Sequence, residues 1–219
     1  MIKCCIFDLD GVVVDTARYH FLAWAALART LGFEFTAEQG EATKGVSRMD
    51  SLEIVLRAGG MSQRFSALDK ARLAAEKNAR YLALVAQMTP AEVLPGVVPF
   101  LCELRAHGVK VVLGSASKNA GQILDRCDLR PLFDGVIDGT QTSRAKPDPE
   151  VFLLGARLAG VSAADCVVFE DAAAGVEAAT RGGMRTVGVG CSKALAKATM
   201  QITGFEGFTY EILLKGIGR

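Results

Sequence analysis

Ile6-Phe7-Asp8-Leu9-Asp10-Gly11-Val12 begins almost at the amino terminus. Lys3 to Phe7 reads as a short apolar strand that ends in two acids, separated by one residue and followed by glycine. Asp-Gly is a common turn pair, so one account is a strand running into a polar turn. The other is a site. An extended chain alternates its side chains, so Asp8 and Asp10 follow one another at the carboxyl end of a strand, the edge where open parallel sheets hold ligands.

The pattern on either side decides what kind of sheet this is. From Thr16 to Leu31 the apolar residues Phe21, Trp24, Leu27, Ala28 and Leu31 keep a helical period, and Gly32 ends it. Further helices are expected near Ala37 to Ala42, from Ser47 to Arg57, and from Ser66 to Gln87, the last opened by a capping box, Ser66 to Asp69. Residues 15–88 hold no convincing strand. From Thr89 helices and strands alternate. Helices are expected from Pro95-Gly96 to Ala106, from Lys118 to Cys127, from Asp148-Pro149-Glu150 onward with Asp148 as capping acid and proline in the first turn, and from Ala172 to Arg181. Strands are expected at Val109 to Leu113, Gly135 to Ile137, Cys166 to Phe169 and Arg185 to Val189. Strands separated by helices imply a parallel sheet with right-handed crossovers. The fold expected is α/β, a Rossmann-like doubly wound parallel sheet formed by residues 1–14 and 89–219, with residues 15–88 inserted as a helical domain. After Val189 only a helix at Tyr210 to Lys215 is expected.

The strand ends then collect chemistry. The first carries Asp8 and Asp10. The second carries Gly114-Ser115-Ala116-Ser117-Lys118-Asn119, small residues leading into a helix start, where hydroxyls and free N–H groups suit a phosphate. After the third comes Arg144-Ala145-Lys146-Pro147, and the fourth ends in Glu170-Asp171. Each has an ordinary explanation as a turn, cap or solvated charge. Their arrival at one edge does not. Four acids there would repel unless a cation neutralised them, and oxygen-only ligands suit Mg²⁺.

Asp8-x-Asp10, Ser115, Lys146 and Glu170-Asp171 resemble the four motifs of the haloacid dehalogenase superfamily, and the helical insert resembles its α-helical cap. The resemblance implies that Asp8 is a nucleophile forming an aspartyl-phosphate and that Asp10 is the general acid/base. It also implies that Ser115 and Lys146 hold the transferring phosphoryl group, and that Asp8, the Asp10 carbonyl, Glu170 and Asp171 hold Mg²⁺. A carboxylate is a feasible covalent catalyst, and a metal with a lysine offsets charge on phosphoryl oxygens.

Thr16, His20 and Trp24, then Lys44-Gly45-Val46-Ser47-Arg48 with Asp50-Ser51-Leu52, Lys77-Asn78, and Ala116-Ser117-Lys118-Asn119 resemble the β-phosphoglucomutase family within that superfamily, from about residue 1 to Gly190. What this implies is a mutase that passes through a sugar bisphosphate and holds two phosphates at once. Arg48, Lys118 and Asn119 suit the parked phosphate, and the Gly45-Val46 backbone suits close approach to the sugar. Thr16, His20, Trp24, Lys44, Ser51, Lys77, Ala116 and Ser117 complete the expected substrate wall, with packing as the alternative account of Trp24. Ala172 and Asp148-Pro149 depart from the serine-containing and alanine-containing versions associated with the family, which touches substrate detail rather than reaction type. A sugar-phosphate phosphatase of the same fold is the nearest rival. A dehalogenase would not need the metal ligands, and a phosphosugar-binding regulator would not need the catalytic groups.

Composition agrees with an ordinary globular enzyme: 219 residues, 50% hydrophobic, 22% charged, net charge +1. No basic run supports a nucleic-acid or anionic-membrane partner. No apolar run approaches a membrane span, and Asp8 and Asp10 interrupt any signal-peptide core. The six cysteines form no C-x-x-C pair, and His20 and His107 are the only imidazoles, so zinc is not expected. The chain reads as a cytoplasmic monomer acting on small sugar phosphates, its cysteines serving as small buried hydrophobes.

Overall fold

A computed structural model describes residues 2–218. Six strands form one parallel sheet in the order β3-β2-β1-β4-β5-β6. They are β1 Cys4–Phe7, β2 Lys110–Gly114, β3 Gly135–Ile137, β4 Cys166–Glu170, β5 Arg185–Val189 and β6 Met200–Ile202. β1 lies between β2 and β4, and all four of its residues are buried. A strand covered on both faces reads as an unbroken apolar run, which is why Cys4 to Phe7 shows no polar alternation.

Alternation along β1 still sends its side chains into two different cores. On one face Phe7 stacks on Phe169 of β4 with ring centroids 4.5 Å apart, and Phe100, Phe205 and Phe208 close around the pair. On the other face Ile6 meets Val112, Val168 and Phe152. Each of these rings contributes about 2 kcal/mol of apolar burial. Helices α5 Val97–Ala106, α6 Ala120–Arg126, α7 Glu150–Ala159, α8 Ala173–Arg181 and α9 Tyr210–Gly216 flank the sheet.

Between β1 and α5 the chain builds α1 Ala17–Thr30, α2 Ala37–Glu41, α3 Arg48–Ala58 and α4 Ala67–Val85. These helices pack around their own apolar cluster, which includes Trp24, Leu27, Leu52 and Leu56. The two connections that join this helical layer to the sheet run side by side: Asp15 N–H donates to Glu92 O at 2.9 Å and Leu94 N–H to Val13 O at 3.0 Å. Among the described residues no helix is long and apolar enough to cross a membrane.

The structure corrects several expectations. β6 was not foreseen, because three residues at a sheet edge carry too little period to read. The helix expected from Lys118 starts only at Ala120, leaving Lys118 and Asn119 in the loop. Pro149, not Asp148, stands at the cap position of α7, and Asp148 accepts instead from the Glu150 N–H at 3.0 Å. Four of the cysteines are buried, but Cys102 and Cys191 are exposed.

Candidate active site

β1, β2 and β4 all end at the same edge of the sheet, so Asp8, Ser115 and Glu170-Asp171 are brought together by register alone. Asp8 continues the ladder, its N–H donating to Phe169 O at 3.0 Å. Its carboxylate accepts from Lys146 Nζ at 2.6 Å and from the Asp10 N–H at 3.2 Å. The same Lys146 nitrogen donates to Glu170 Oε1 at 2.6 Å, and the second Glu170 oxygen accepts from the Ala172 N–H at 2.7 Å. Glu170 can lie this close to α8 because residue 175 is glycine: a Cβ there would come within 1.8 Å of Oε1.

One buried ammonium thus serves two buried carboxylates. Burial works against the charge on Lys146, but Asp8 and Glu170 outweigh it and push its pKa up. Asp8 bears the imbalance. Burial, with Glu170 and Asp10 in the same sense, overcomes the attraction of Lys146 and pushes Asp8 up to about 7. Asp171 is raised well above its ordinary value by burial and by Glu170 and Asp8, with Lys44 of the helical layer, 3.9 Å away, acting against this.

Asp10 faces a different environment. Its Oδ1 accepts from the Thr16 hydroxyl, and His20 Nε2 lies 3.6 Å from the same oxygen. His20 Nδ1 in turn lies 2.8 Å from Lys77 Nζ. Burial raises the Asp10 pKa, but His20, Thr16 and Lys77 together carry it below the ordinary carboxylate value. Burial and the neighbouring Arg48 push Lys77 down to about 7, Asp10 acting against them. His20 is lowered by burial, with Lys77 and Arg48 adding to it and Asp10 opposing.

Sheet edge and helical layer enclose a cavity of about 580 Å³. Asp8, Asp10, Lys146 and Asp171 line it from the sheet, together with Ala116, Ser117, Lys118 and Asn119. His20, Trp24, Lys44, Gly45, Val46, Arg48, Ser51 and Lys77 line it from the helices. Asn119 Nδ2 donates to Asn78 Oδ1 at 3.2 Å across the two. Gly45, at φ +68°, approaches so near that a Cβ there would stand 2.9 Å from the Ala172 Cβ. Arg48 opens α3, where burial lowers its pKa while Tyr81 acts the other way.

Several expected roles change. Thr16 is wholly buried and does not line the cavity; its hydroxyl is committed to Asp10. Trp24 is almost wholly buried in the helical core, with Lys77 Nζ 4.8 Å above its ring, so it is chiefly a packing residue at the cavity wall. The Ser51 hydroxyl points to Thr43 O at 3.3 Å and braces the turn that carries Lys44 and Gly45. Ser115 lies fully buried behind the wall. The N–H groups expected to be free for a phosphate are not all free: Ser117 N–H donates to Ser115 Oγ at 3.1 Å and Asn119 N–H to Ser117 Oγ at 3.2 Å. Alternating serines satisfy their own turn.

The metal expectation is also sharpened. Among the described residues no three His, Cys, Asp or Glu side chains form a ready-made metal cage. Glu170 is turned to Lys146 and Ala172, and the Asp10 carboxylate to Thr16 and His20, so neither side chain acts as a ligand in this arrangement. Asp8 and Asp171 remain on the cavity wall, both carboxyls pushed up by burial and by the neighbouring acids. With the Asp10 carbonyl they make an oxygen donor set that fits Mg²⁺, which needs few carboxylates and keeps several waters.

Tyr81 escaped the reading of the sequence. It is one helical turn beyond Lys77 on α4 and therefore shares its face, a spacing that could have pointed to it.

A family model described as a haloacid dehalogenase-like hydrolase matches residues 2–183. The chain is 40% identical over 211 residues to a beta-phosphoglucomutase from Bacillus subtilis, covering 96% of this chain and 93% of that one. It is 31% identical over 187 residues to a phosphorylated carbohydrates phosphatase from Thermotoga maritima, covering 84% and 83%. The crystal structure of a beta-phosphoglucomutase from Clostridium difficile superposes with a TM-score of 0.94 at 37% identity, covering 99% of this chain and 97% of that one. Sheet order, site geometry and near-full-length similarity agree, and the chain belongs to the haloacid dehalogenase-like hydrolase family.

Proposed function

We propose that this protein is a β-phosphoglucomutase, interconverting β-D-glucose 1-phosphate and β-D-glucose 6-phosphate through an aspartyl-phosphate at Asp8 and a glucose 1,6-bisphosphate. One observation carries this reading beyond phosphoryl transfer in general. The cavity that holds the Asp8–Lys146 pair is also lined by a second group of side chains suited to a phosphate, Arg48, Lys118 and Asn119, none of which bonds Asp8. A bisphosphate needs both ends held.

In the first half-reaction the sugar C6 hydroxyl attacks phosphorus on phosphorylated Asp8. Its proton passes to Asp10, and the Asp8–phosphorus bond breaks to leave a free carboxylate. The bisphosphate turns over in the cavity, so that the C1 phosphate lies at Asp8 and the C6 phosphate at Arg48, Lys118 and Asn119. Asp8 then attacks phosphorus, and the C1 oxygen leaves with the proton from Asp10. Lys146 offsets charge on the equatorial oxygens throughout. Mg²⁺ at Asp8, the Asp10 carbonyl and Asp171 would supply Lewis-acid neutralisation of that charge. The helical layer keeps water from the phosphorylated Asp8.

The Thermotoga relative gives the competing reading weight, since water in place of the sugar hydroxyl makes a phosphatase from the same parts. Incubation with β-glucose 1-phosphate, Mg²⁺ and a trace of β-glucose 1,6-bisphosphate separates them. Glucose 6-phosphate is the expected product. Stoichiometric free phosphate overturns the mutase reading.

A further inference from the structure

Tyr81 is wholly buried in α4, yet among the described residues its hydroxyl reaches no partner in full hydrogen-bond geometry. Leaving a buried hydroxyl unpaired is unfavourable, and phenylalanine would fill the same space without that cost. The other buried side-chain atom left without a partner among the described residues is His20 Nε2. The two are neighbours, with ring centroids 4.1 Å apart.

Both belong to the surroundings of Asp10. Lys77 lies 4.7 Å above the Tyr81 ring and 2.8 Å from His20 Nδ1. When Lys77 is an ammonium it can only donate, so that Nδ1 accepts and the imidazole hydrogen is assigned to Nε2, 3.6 Å from Asp10 Oδ1. The Tyr81 hydroxyl stands among Asp10, Thr16 and Ser117: burial raises its pKa, Asp10 adds to the rise by its charge and by hydrogen bonding, and hydrogen bonding with Ser117 and Thr16 opposes it. In this structure Asp10 is held by Thr16. A carboxylate offers about four acceptor sites, so further donors can be accommodated once it turns toward the cavity.

We propose that the Tyr81 hydroxyl donates to the Asp10 carboxylate in the reacting complex and fixes the orientation in which Asp10 exchanges a proton with the sugar. Tyr81 does not line the cavity, so it acts on Asp10 from behind and is a positioning residue. Its unpaired state here is the counterpart of Asp10 resting on Thr16. A purely packing tyrosine would have no use for the oxygen.

The test is Tyr81→Phe, assayed in two reactions. Phosphorylation of Asp8 by acetyl phosphate expels acetate, which needs no proton from Asp10, whereas the sugar steps need Asp10 in place. The expected result is a fall of about tenfold or more in kcat for glucose 6-phosphate formation, with KM and the acetyl phosphate rate within about twofold of wild type. A smaller fall in kcat, or an equal fall in both reactions, overturns the proposal. Adding Tyr81→Phe to Asp10→Ala supplies an independent check: no further loss supports action through Asp10, and a further loss equal to that in the wild-type background overturns it. The proposal rests on the mutase reading for its substrate. If the wild-type enzyme releases only phosphate, that reading fails by itself, and Tyr81 is then judged by the same comparisons on phosphate release.

Discussion

Lys146 Nζ stands 2.6 Å from Asp8 Oδ1 with both side chains almost shut off from solvent. The same nitrogen holds Glu170, so removing it strands two buried carboxylates. Lys146→Ala should therefore lower folding stability by about 3–5 kcal/mol at neutral pH, the usual consequence of breaking a buried pair from one side. It should also slow acetyl phosphate labelling of Asp8 by about 10²-fold or more, since a transition-state donor is lost. Urea unfolding and the labelling rate measure the two effects. A stability loss within 1 kcal/mol would show that the carboxylates find another counter-charge.

Asp8 sets a pH dependence whose sign follows from its position. Its folded pKa is about 7 against an ordinary value of 3.8. Between these values the unfolded chain has released a proton that the folded chain keeps, so this group makes folding less favourable as pH rises from about 4 to 7 and adds nothing further above. Mg²⁺ needs the proton gone, and its apparent affinity should rise across the same window and level off above it. Thermal shifts with and without Mg²⁺ from pH 5.5 to 8 check this. A shift of constant size across that range would mean that Asp8 is not displaced from its proton by the metal. Removing Mg²⁺ with a chelator should abolish phosphoenzyme formation at every pH.

The catalytic edge was readable from residues because each element announces itself locally. β1, β2 and β4 are buried, largely apolar runs, and each ends abruptly in small or charged residues. What could not be read is direction. Nothing in Glu170-Asp171 says that one carboxylate turns inward to a lysine and the other to the cavity; Gly175, five residues on, makes the room. Nothing in Thr16 distinguishes a cap from a donor to Asp10. Tyr81 lay hidden in the apolar stripe of a long helix, where aromatic residues ordinarily pack. β6 is half-exposed and three residues long, and its place is fixed by pairing with β5 rather than by its own pattern.

Arg48 and Asp8 should separate in their effects. Arg48→Ala removes a charge-assisted contact to the parked phosphate, which on a charged partner is worth about 1.5–3 kcal/mol, or roughly 10- to 100-fold in kcat/KM for the sugar phosphate. Acetyl phosphate carries no second phosphate, and its reaction at Asp8 should be unchanged. Equal losses with both donors would place Arg48 at the transferring group instead.

Gly45 tests whether closure of the helical layer limits turnover. Alanine there meets two obstacles. A φ of +68° costs an L-residue about 1–2 kcal/mol whether or not the layer is closed. The new Cβ, 2.9 Å from that of Ala172, obstructs the approach of the helical layer to the sheet edge seen in this structure. Gly45→Ala should thus lower kcat/KM for the sugar phosphate by about tenfold or more, since 1.4 kcal/mol of closure is already a factor of ten. Ala172→Gly removes the second obstacle and leaves the first, so combining the two should recover part of the loss and none of the lost stability. Steady-state kinetics and urea unfolding on the four proteins of this cycle separate the contributions. If the double variant is no faster than Gly45→Ala alone, the contact with Ala172 does not govern closure, and the strained backbone of the Lys44-Gly45-Val46 turn accounts for the whole effect.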